Sequence, residues 1–271
     1  MFQQAADLRE EGEELKRVLD DLEESDWSRV TPFKNWTVNQ VVQHLHGSDK
    51  MAVLALKDAD GFAAAKAVPK VVGATMSPTE EGAVLRDTWW AYFSEMCELL
   101  AGSDPKRRVP WFGPDMGVMM FTTARQMESW SHGQDIFDMF GKQRTNSNRL
   151  KNIAVIGVKT YGWTFANRKQ DIPGPAPYVR LVSPEGDTWE FNEPSEENSV
   201  TGDAVEFCHV VTQGRNIADV NLAVVGKPAT LWMDIAQCFA GPPVRRKIHQ
   251  HRVHVPLTFS ISPGAISSGA I

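Results

Sequence analysis

Four polar residues of the segment ARQMESWSHGQD, residues 124–135, have types and spacings that could do chemistry together. Arg125, Glu128, His132 and Asp135 follow one another at intervals of three, four and three, so a helix would present them on one face. Large apolar residues flank this stripe, and burying charged groups without partners is costly. A bound cation would reconcile the charges with the burial.

Glu128 and His132 are the strongest candidates for metal ligands. They lie one helical turn apart, and zinc and similar divalent ions bind carboxylate oxygen and imidazole nitrogen at about 2.0–2.2 Å. A third ligand must come from another helix. We expect His44 to supply it, because the apolar residues around it predict that this face of its helix points inward, whereas His46 should point elsewhere. The alternative is an ordinary surface pair of Glu128 and His132.

The other two residues of the stripe have two interpretations each. Asp135 could orient His132 or bind substrate, and Arg125 could balance charge or hold an anionic group. The alternative for both is a plain salt-bridge network within the helix.

Helical patterns dominate the first 170 residues. An apolar stripe runs through the charged N-terminal segment, as in a surface helix of a bundle. A second helix should begin at Thr37, which forms a capping-box pattern with Gln40. Three further helices are expected: one capped by Thr79 and stopped by Gly102, one from about Thr122 to Phe140 ended by Gly141, and one around residues 149–167.

The composition changes at IPGPAP, residues 172–177, a linker that no helix could cross. Two strands around a turn at residues 185–187 are predicted next. A helix in DAVEFCHVVTQG, a strand in NLAVVG and a final helix in ATLWMDIAQCFAG would complete a small α/β or α+β unit. The predicted division is a helical bundle over residues 1–170, an α/β domain over 178–244 and a flexible tail over 245–271.

Composition excludes several classes of function. The chain has 271 residues and a net charge of -6, without the clustered Lys and Arg that nucleic-acid binding needs. No apolar run approaches the roughly 20 residues of a membrane helix, and we do not expect the acidic N-terminus to act as a signal peptide. Cys97, Cys208 and Cys238 are few and far apart, which predicts a reducing cytoplasm and three small core residues.

The segment NWTVNQVVQHLHG, followed far downstream by ARQMESWSHGQDIFD, resembles the DinB/YfiT-like metal-binding bundles. More narrowly, it resembles the N-terminal domain of the mycothiol-dependent maleylpyruvate isomerases, and the rest of the chain is similar to actinobacterial proteins related to them. The resemblance implies an α + α/β fold, a DinB-like four-helix bundle followed by a small sterol-carrier-like α/β domain. It also implies a divalent metal, usually Zn²⁺, held by His44, Glu128 and His132.

The same resemblance implies mycothiol as co-substrate and an isomerase or S-transferase acting on a small electrophile. A metal-bound thiol is deprotonated at neutral pH and becomes a nucleophile. Arg125 and Asp135 would then act in catalysis. Arg215, in VTQGRN, is the nearest match to a basic residue that holds substrate or thiol in that family, although a solvated surface arginine is the alternative.

An apolar segment just before the metal-binding helix is the candidate for contact with the co-substrate. Trp111, Phe112 and Met116 could line a pocket over the metal, or they could simply fill the end of the bundle.

Two other functions remain open at this point: a non-catalytic protein that binds a metal or small ligand, and a metal-dependent hydrolase that uses a bound hydroxide. The expected partners are a small-molecule substrate and a low-molecular-weight thiol, with no nucleic acid and no membrane. The chain is expected to be a cytoplasmic monomer or homodimer.

Overall fold

The structure is a computed structural model, and it describes residues 2–32 and 35–241. The tail predicted over residues 245–271 lies outside the described residues. The helices are α1 (Gln3–Asp20), α2 (Val38–Lys57), α3 (Ala59–Lys66), α4 (Pro69–Met76), α5 (Gly82–Ala101), α6 (Val118–Phe140), α7 (Lys151–Lys159), α8 (Tyr161–Ala166), α9 (Ala204–Val211) and α10 (Lys227–Ile235). The strands are β1 (Arg108–Val109), β2 (Met116–Gly117), β3 (Tyr178–Val182), β4 (Thr188–Phe191), β5 (Ser199–Asp203) and β6 (Ala223–Val225).

Four long helices, α1, α2, α5 and α6, pack around one apolar core. Helix α1 contacts α5 and α6, and α2 contacts the same two helices from the other side. The apolar stripe predicted in the N-terminal segment faces this core, where Leu8 and Leu15 are fully buried. Trp89 and Phe93 of α5 are fully buried opposite them. Burial of such side chains contributes roughly 1.5–3 kcal/mol each to folding.

Helix α2 begins where the capping-box pattern predicts. The backbone N–H of Gln40 donates to the Thr37 hydroxyl at 3.2 Å, and the Thr37 N–H donates to the Gln40 side chain at 2.9 Å. The predicted cap at Thr79 is wrong, since α5 begins at Gly82. Gly82 has a φ of +59°, in the left-handed region, so the preceding residues cannot continue the helix.

The end of α6 at Gly141, which has a φ of +61°, is confirmed. Its start is four residues earlier than predicted, at Val118, because the short β1–β2 hairpin leads directly into the helix. The helix predicted over residues 149–167 is divided at Thr160 into α7 and α8. Helices α3 and α4, which the sequence pattern did not indicate, pack against α2.

The second half of the chain contains a four-stranded sheet in the order β4-β3-β5-β6. The predicted hairpin is confirmed, with β3 antiparallel to β4. Strand β5, which was not predicted, pairs parallel with β3 and antiparallel with β6. The predicted final helix ends early, because the chain becomes extended at Ala236, and residues 236–241 then run beside α8 and the end of α9.

Helix α6 belongs to both halves of the molecule. Its residues Phe121 and Ile136 lie in the core of the long helices, whereas Met127 and Trp130 lie in the apolar core of the second half. No helix in the described ranges is long and apolar enough to span a bilayer.

Candidate metal centre

Two helices bring the three expected metal ligands together. His44 lies two turns into α2, at a position that the Thr37 cap fixes along the chain. Glu128 and His132 lie one turn apart in the middle of α6. One nitrogen or oxygen atom from each of the three side chains lies within 4.8 Å of the corresponding atoms of the other two. Residues that are 84 positions apart in sequence thus converge on one point between the helices.

The separations between the ligand atoms match those around a divalent ion. Oε2 of Glu128 lies 3.5 Å from Nε2 of His44 and 3.2 Å from Nε2 of His132. A tetrahedral ion with bonds of about 2.0–2.1 Å has ligand atoms roughly 3.3–3.4 Å apart. The donor set, two imidazoles and one carboxylate, is also one that divalent metals of the zinc type accept, and three protein ligands leave a position for another molecule. The residues present therefore fit such a metal.

The three candidate ligands are partly accessible to solvent. The side chains of His44, Glu128 and His132 are 29%, 22% and 12% exposed, in contrast to the fully buried core around them. Partial exposure is what a small molecule needs to reach the centre.

Electrostatics favour the metal-binding forms of two of these groups. Burial lowers the pKa of His44, against the opposing effect of its hydrogen bond to Glu128, so its imidazole is neutral at pH 7. Burial alone would raise the pKa of Glu128, but the hydrogen bonds to His132 and His44 hold this pKa well below its usual range. Glu128 is therefore anionic, as a metal ligand of this type must be.

Trp36 borders the centre, although it was not among the residues that the sequence indicated for the site. Its ring is nearly parallel to that of His132, with 6.3 Å between the centroids, and its centroid lies 5.5 Å from that of His44. The indole thus forms an aromatic wall beside both imidazoles. A signal was available, because Trp36 immediately precedes the cap of the helix that carries His44.

His46, as expected, lies apart from the three candidate ligands. It is fully buried, and its ring lies 5.3 Å from that of Tyr92 on α5.

The remaining members of the polar stripe are both buried. Nε and Nη2 of Arg125 donate to Oδ1 of Asp49 at 3.2 and 2.8 Å, and Nη2 also donates to the Ser48 hydroxyl at 2.7 Å. Asp135 is 3% exposed. Arg125 thus lies on a buried face of α6, and its partner is on α2. The alternative of a salt bridge within α6 is therefore wrong for Arg125. Asp49, a charged residue inside the apolar segment of α2, was the available signal for that partner.

The three residues expected to line a pocket lie near the start of α6. The Trp111 ring stacks on Phe62 of α3 at 5.7 Å and meets Phe121 edge-on at 5.0 Å. Phe112 also contacts Phe62, and Met116 packs against the same core. These contacts lie about two turns of α6 before Glu128, so contact of Trp111, Phe112 and Met116 with a co-substrate stays a prediction.

Arg215 joins the second half of the chain to α6. Its Nη2 lies 2.6 Å from Oδ2 of Asp138, which is six residues beyond His132 on the same helix. The guanidinium is partly exposed, and its role toward substrate or thiol stays a prediction.

Comparison with known proteins identifies the family of the chain. The sequence profile of the mycothiol maleylpyruvate isomerase N-terminal domain matches residues 8–137, a range that includes all three ligand positions. Uncharacterized protein Rv0036c of Mycobacterium tuberculosis strain H37Rv and its counterpart in strain CDC 1551 are each 36% identical to the chain over 247 residues, 89% of this chain and 96% of theirs. The chain belongs to the mycothiol maleylpyruvate isomerase N-terminal domain family.

Solved structures of the family type share the fold. The crystal structure of the mycothiol-dependent maleylpyruvate isomerase superposes with a TM-score of 0.52 at 13% identity, over 77% of this chain and 87% of that one. A histidine-to-alanine mutant of that enzyme superposes with a TM-score of 0.50 over the same shares. At this identity the likeness concerns the mixed helical and sheet fold alone.

Proposed function

We propose that this protein is a metal-dependent, mycothiol-dependent isomerase or S-transferase that acts on a small electrophilic substrate. The observation that carries the proposal is the convergence of His44, Glu128 and His132 at the spacing of a divalent coordination shell, with each side chain partly accessible to solvent. Membership of a family named for a mycothiol enzyme supports the choice of thiol.

In this proposal His44, Glu128 and His132 hold a divalent ion, with Zn²⁺ as the first choice. When bound, the ion lowers the pKa of a coordinated thiol so that it reacts as a thiolate at neutral pH. Glu128 supplies one negative charge to the site, and the neutral imidazole of His44 supplies a nitrogen lone pair. Trp36 covers one side of the two imidazoles and keeps water from that side.

The cysteines of the chain support an external thiol. Cys97, Cys208 and Cys238 are all buried, and burial raises the pKa of each thiol, that of Cys97 to about 12. Such thiols are poor nucleophiles at neutral pH. Thiol chemistry at the centre therefore requires a thiol that arrives from solution, as a low-molecular-weight co-substrate does.

The fold belongs to the same proposal. We assign the four long helices, within residues 1–170, to a DinB-like four-helix bundle that carries the metal. We assign the domain predicted over residues 178–244, of which the structure describes 178–241, to a sterol-carrier-like α/β fold. The cysteine usage and the nature of the thiol favour a cytoplasmic protein.

The experiment pairs metal analysis with thiol chemistry. Wild-type protein should contain about one divalent metal per chain, and His44→Ala should contain much less. The metal-loaded wild type, incubated with mycothiol and a panel of small electrophiles that includes maleylpyruvate, should isomerise one of them or consume thiol. Metal binding without either reaction would favour a binding protein, and turnover without thiol would favour a hydrolase. Equal metal content in wild type and His44→Ala would refute the ligand set.

A further inference from the structure

A buried ion pair ties the two ligand-bearing helices together beside the metal centre. Arg125 of α6 is 4% exposed, and Asp49 of α2 is fully buried. Two nitrogens of the guanidinium donate to one carboxylate oxygen, at 3.2 and 2.8 Å. Because two donors of one rigid guanidinium converge on a single oxygen, the contact restrains the orientation of Arg125 as well as its distance from Asp49.

Further hydrogen bonds hold both members of the pair. Nη2 of Arg125 also donates to the Ser48 hydroxyl, so two successive residues of α2 hold it. The other carboxylate oxygen of Asp49 accepts from Nε1 of Trp89 on α5, at 3.1 Å. Three of the four long helices therefore meet in one buried polar network. A shift of α2 against α6 would separate Arg125 from both of its partners, Ser48 and Asp49.

The position of the pair relative to the ligands is the second observation. Arg125 lies one turn before Glu128 on α6, and Asp49 lies five residues after His44 on α2. A displacement of α2 along α6 would move His44 away from Glu128 by the same amount. Coordination bonds tolerate only about 0.2 Å of variation, so the site depends on how well these helices are held.

We propose that Arg125 and Asp49 are a positioning pair, which sets the distance from His44 to Glu128 and His132 and thereby the affinity of the centre for its metal. This inference rests on the metal-dependent function proposed above. In this inference Arg125 has a positioning role and does not contact substrate. Its burial is consistent with that role, because a buried guanidinium is not accessible to substrate.

Charge alone would act on the metal in a different way, and the difference makes the pair testable. Removing the guanidinium deletes a positive charge near the ion and would strengthen metal binding. Removing the carboxylate deletes a negative charge and would weaken it. A positioning role requires that both changes weaken binding, and that the double change is no worse than the more severe single change.

The experiment measures Co²⁺ binding by the visible absorption of the bound ion, with metal-free protein as the starting material. Arg125→Met and Asp49→Asn should each raise the Kd for Co²⁺ by roughly 10- to 100-fold, as loss of groups that orient ligands does in other metal sites. The spectrum of the remaining complex should also change, since the ligand geometry is altered. The double variant should show about the same Kd for Co²⁺ as the single variant that binds Co²⁺ less tightly.

A matched control separates positioning from general loss of stability. Arg149 is similarly buried and pairs with Glu11 of α1, at 3.0 Å, away from the contact between α2 and α6. Arg149→Met should destabilise the fold to a comparable degree in urea and leave the Kd for Co²⁺ within about twofold of wild type. If Arg149→Met weakens Co²⁺ binding as much as Arg125→Met does, the positioning role is refuted.

The other outcomes are equally decisive. Tighter binding by Arg125→Met with weaker binding by Asp49→Asn would replace positioning by simple charge. If Arg125→Met does not fold, Arg125→Lys retains the charge with a single-point contact, and wild-type affinity in that variant would overturn the proposal. Absence of Co²⁺ binding by the wild type would refute the proposed function itself, whereas unchanged binding in all the variants would refute only the pair.

Discussion

The reactivity of the cysteines gives a quantitative test of whether the nucleophilic thiol comes from outside the protein. Cys97 of α5 is 2% exposed, and burial raises its pKa from 9.0 to about 12. At pH 7 the thiolate fraction falls from about 10⁻² to about 10⁻⁵, so the change in ionisation alone slows attack by about 1,000-fold. Burial raises the pKa values of Cys208 and Cys238 as well, and both thiols are shielded from solvent.

The perturbation is a chromogenic disulfide reagent such as DTNB, added to native and to denatured protein. We expect three equivalents of thiol to react in guanidinium chloride, since the chain has three cysteines. In the native state each should react at least 1,000-fold more slowly than a small thiol in the same buffer. Ser25→Cys is the matched control, because residue 25 is exposed, and it should add one rapidly reacting equivalent. Rapid native labelling of any wild-type cysteine would refute the reasoning and supply an internal nucleophile.

Three further predictions concern the elements that hold the site. Thr37→Ala should lower the free energy of unfolding by about 1 kcal/mol in urea, because α2 loses its cap, whereas Thr37→Ser should retain most of it. Gly47→Ala should cost roughly 1–3 kcal/mol, because its Cβ would lie 2.5 Å from the backbone of Met76, whereas Gly73→Ala, with open space around the new Cβ, should cost nothing. A Zn²⁺ concentration of 100 times Kd should stabilise the wild type by about 2.7 kcal/mol in thermal unfolding, and a chelator should reverse the effect; equal stabilisation of Glu128→Gln would contradict its role as a ligand.

The parts of the fold that the sequence predicts well depend on local physics. The Thr37–Gln40 capping box involves side chains three residues apart, and it marks the start of α2 correctly. Helix α6 ends at Gly141 because this glycine adopts the left-handed backbone conformation, which other residues adopt less readily. The spacing of Glu128 and His132 is also local information, because residues four apart lie on one face of a helix.

The errors arise where distant contacts or special backbone conformations decide the structure. Nothing in the types of residues 79–81 shows that Gly82 adopts a positive φ and delays α5. Strand β5 contains a polar and glycine-containing segment, and it exists because β3 and β6 pair with it on either side. Thr160 divides α7 from α8, although the apolar pattern continues across it.

The candidate site shows the same division between local and distant information. Spacing indicates Glu128 and His132, and the apolar residues around His44 indicate that it faces inward. The sequence does not show by itself that His44 and Glu128, 84 residues apart, meet in the fold. The partner of Arg125 could not be identified from the stripe on α6, because Asp49 lies on another helix, 76 residues earlier. A buried charge within an apolar helix indicates that a partner exists without indicating which residue it is.

The most direct test of the account is the spectrum of the Co²⁺-loaded protein as mycothiol is added. The account predicts one bound Co²⁺ per chain and, on addition of mycothiol, a near-ultraviolet charge-transfer band from a thiolate bound to the ion. Neither signal should appear with Glu128→Gln. Bound Co²⁺ whose spectrum is unchanged by mycothiol would contradict thiol activation at the centre, and absence of bound Co²⁺ in the wild type would contradict the metal site itself.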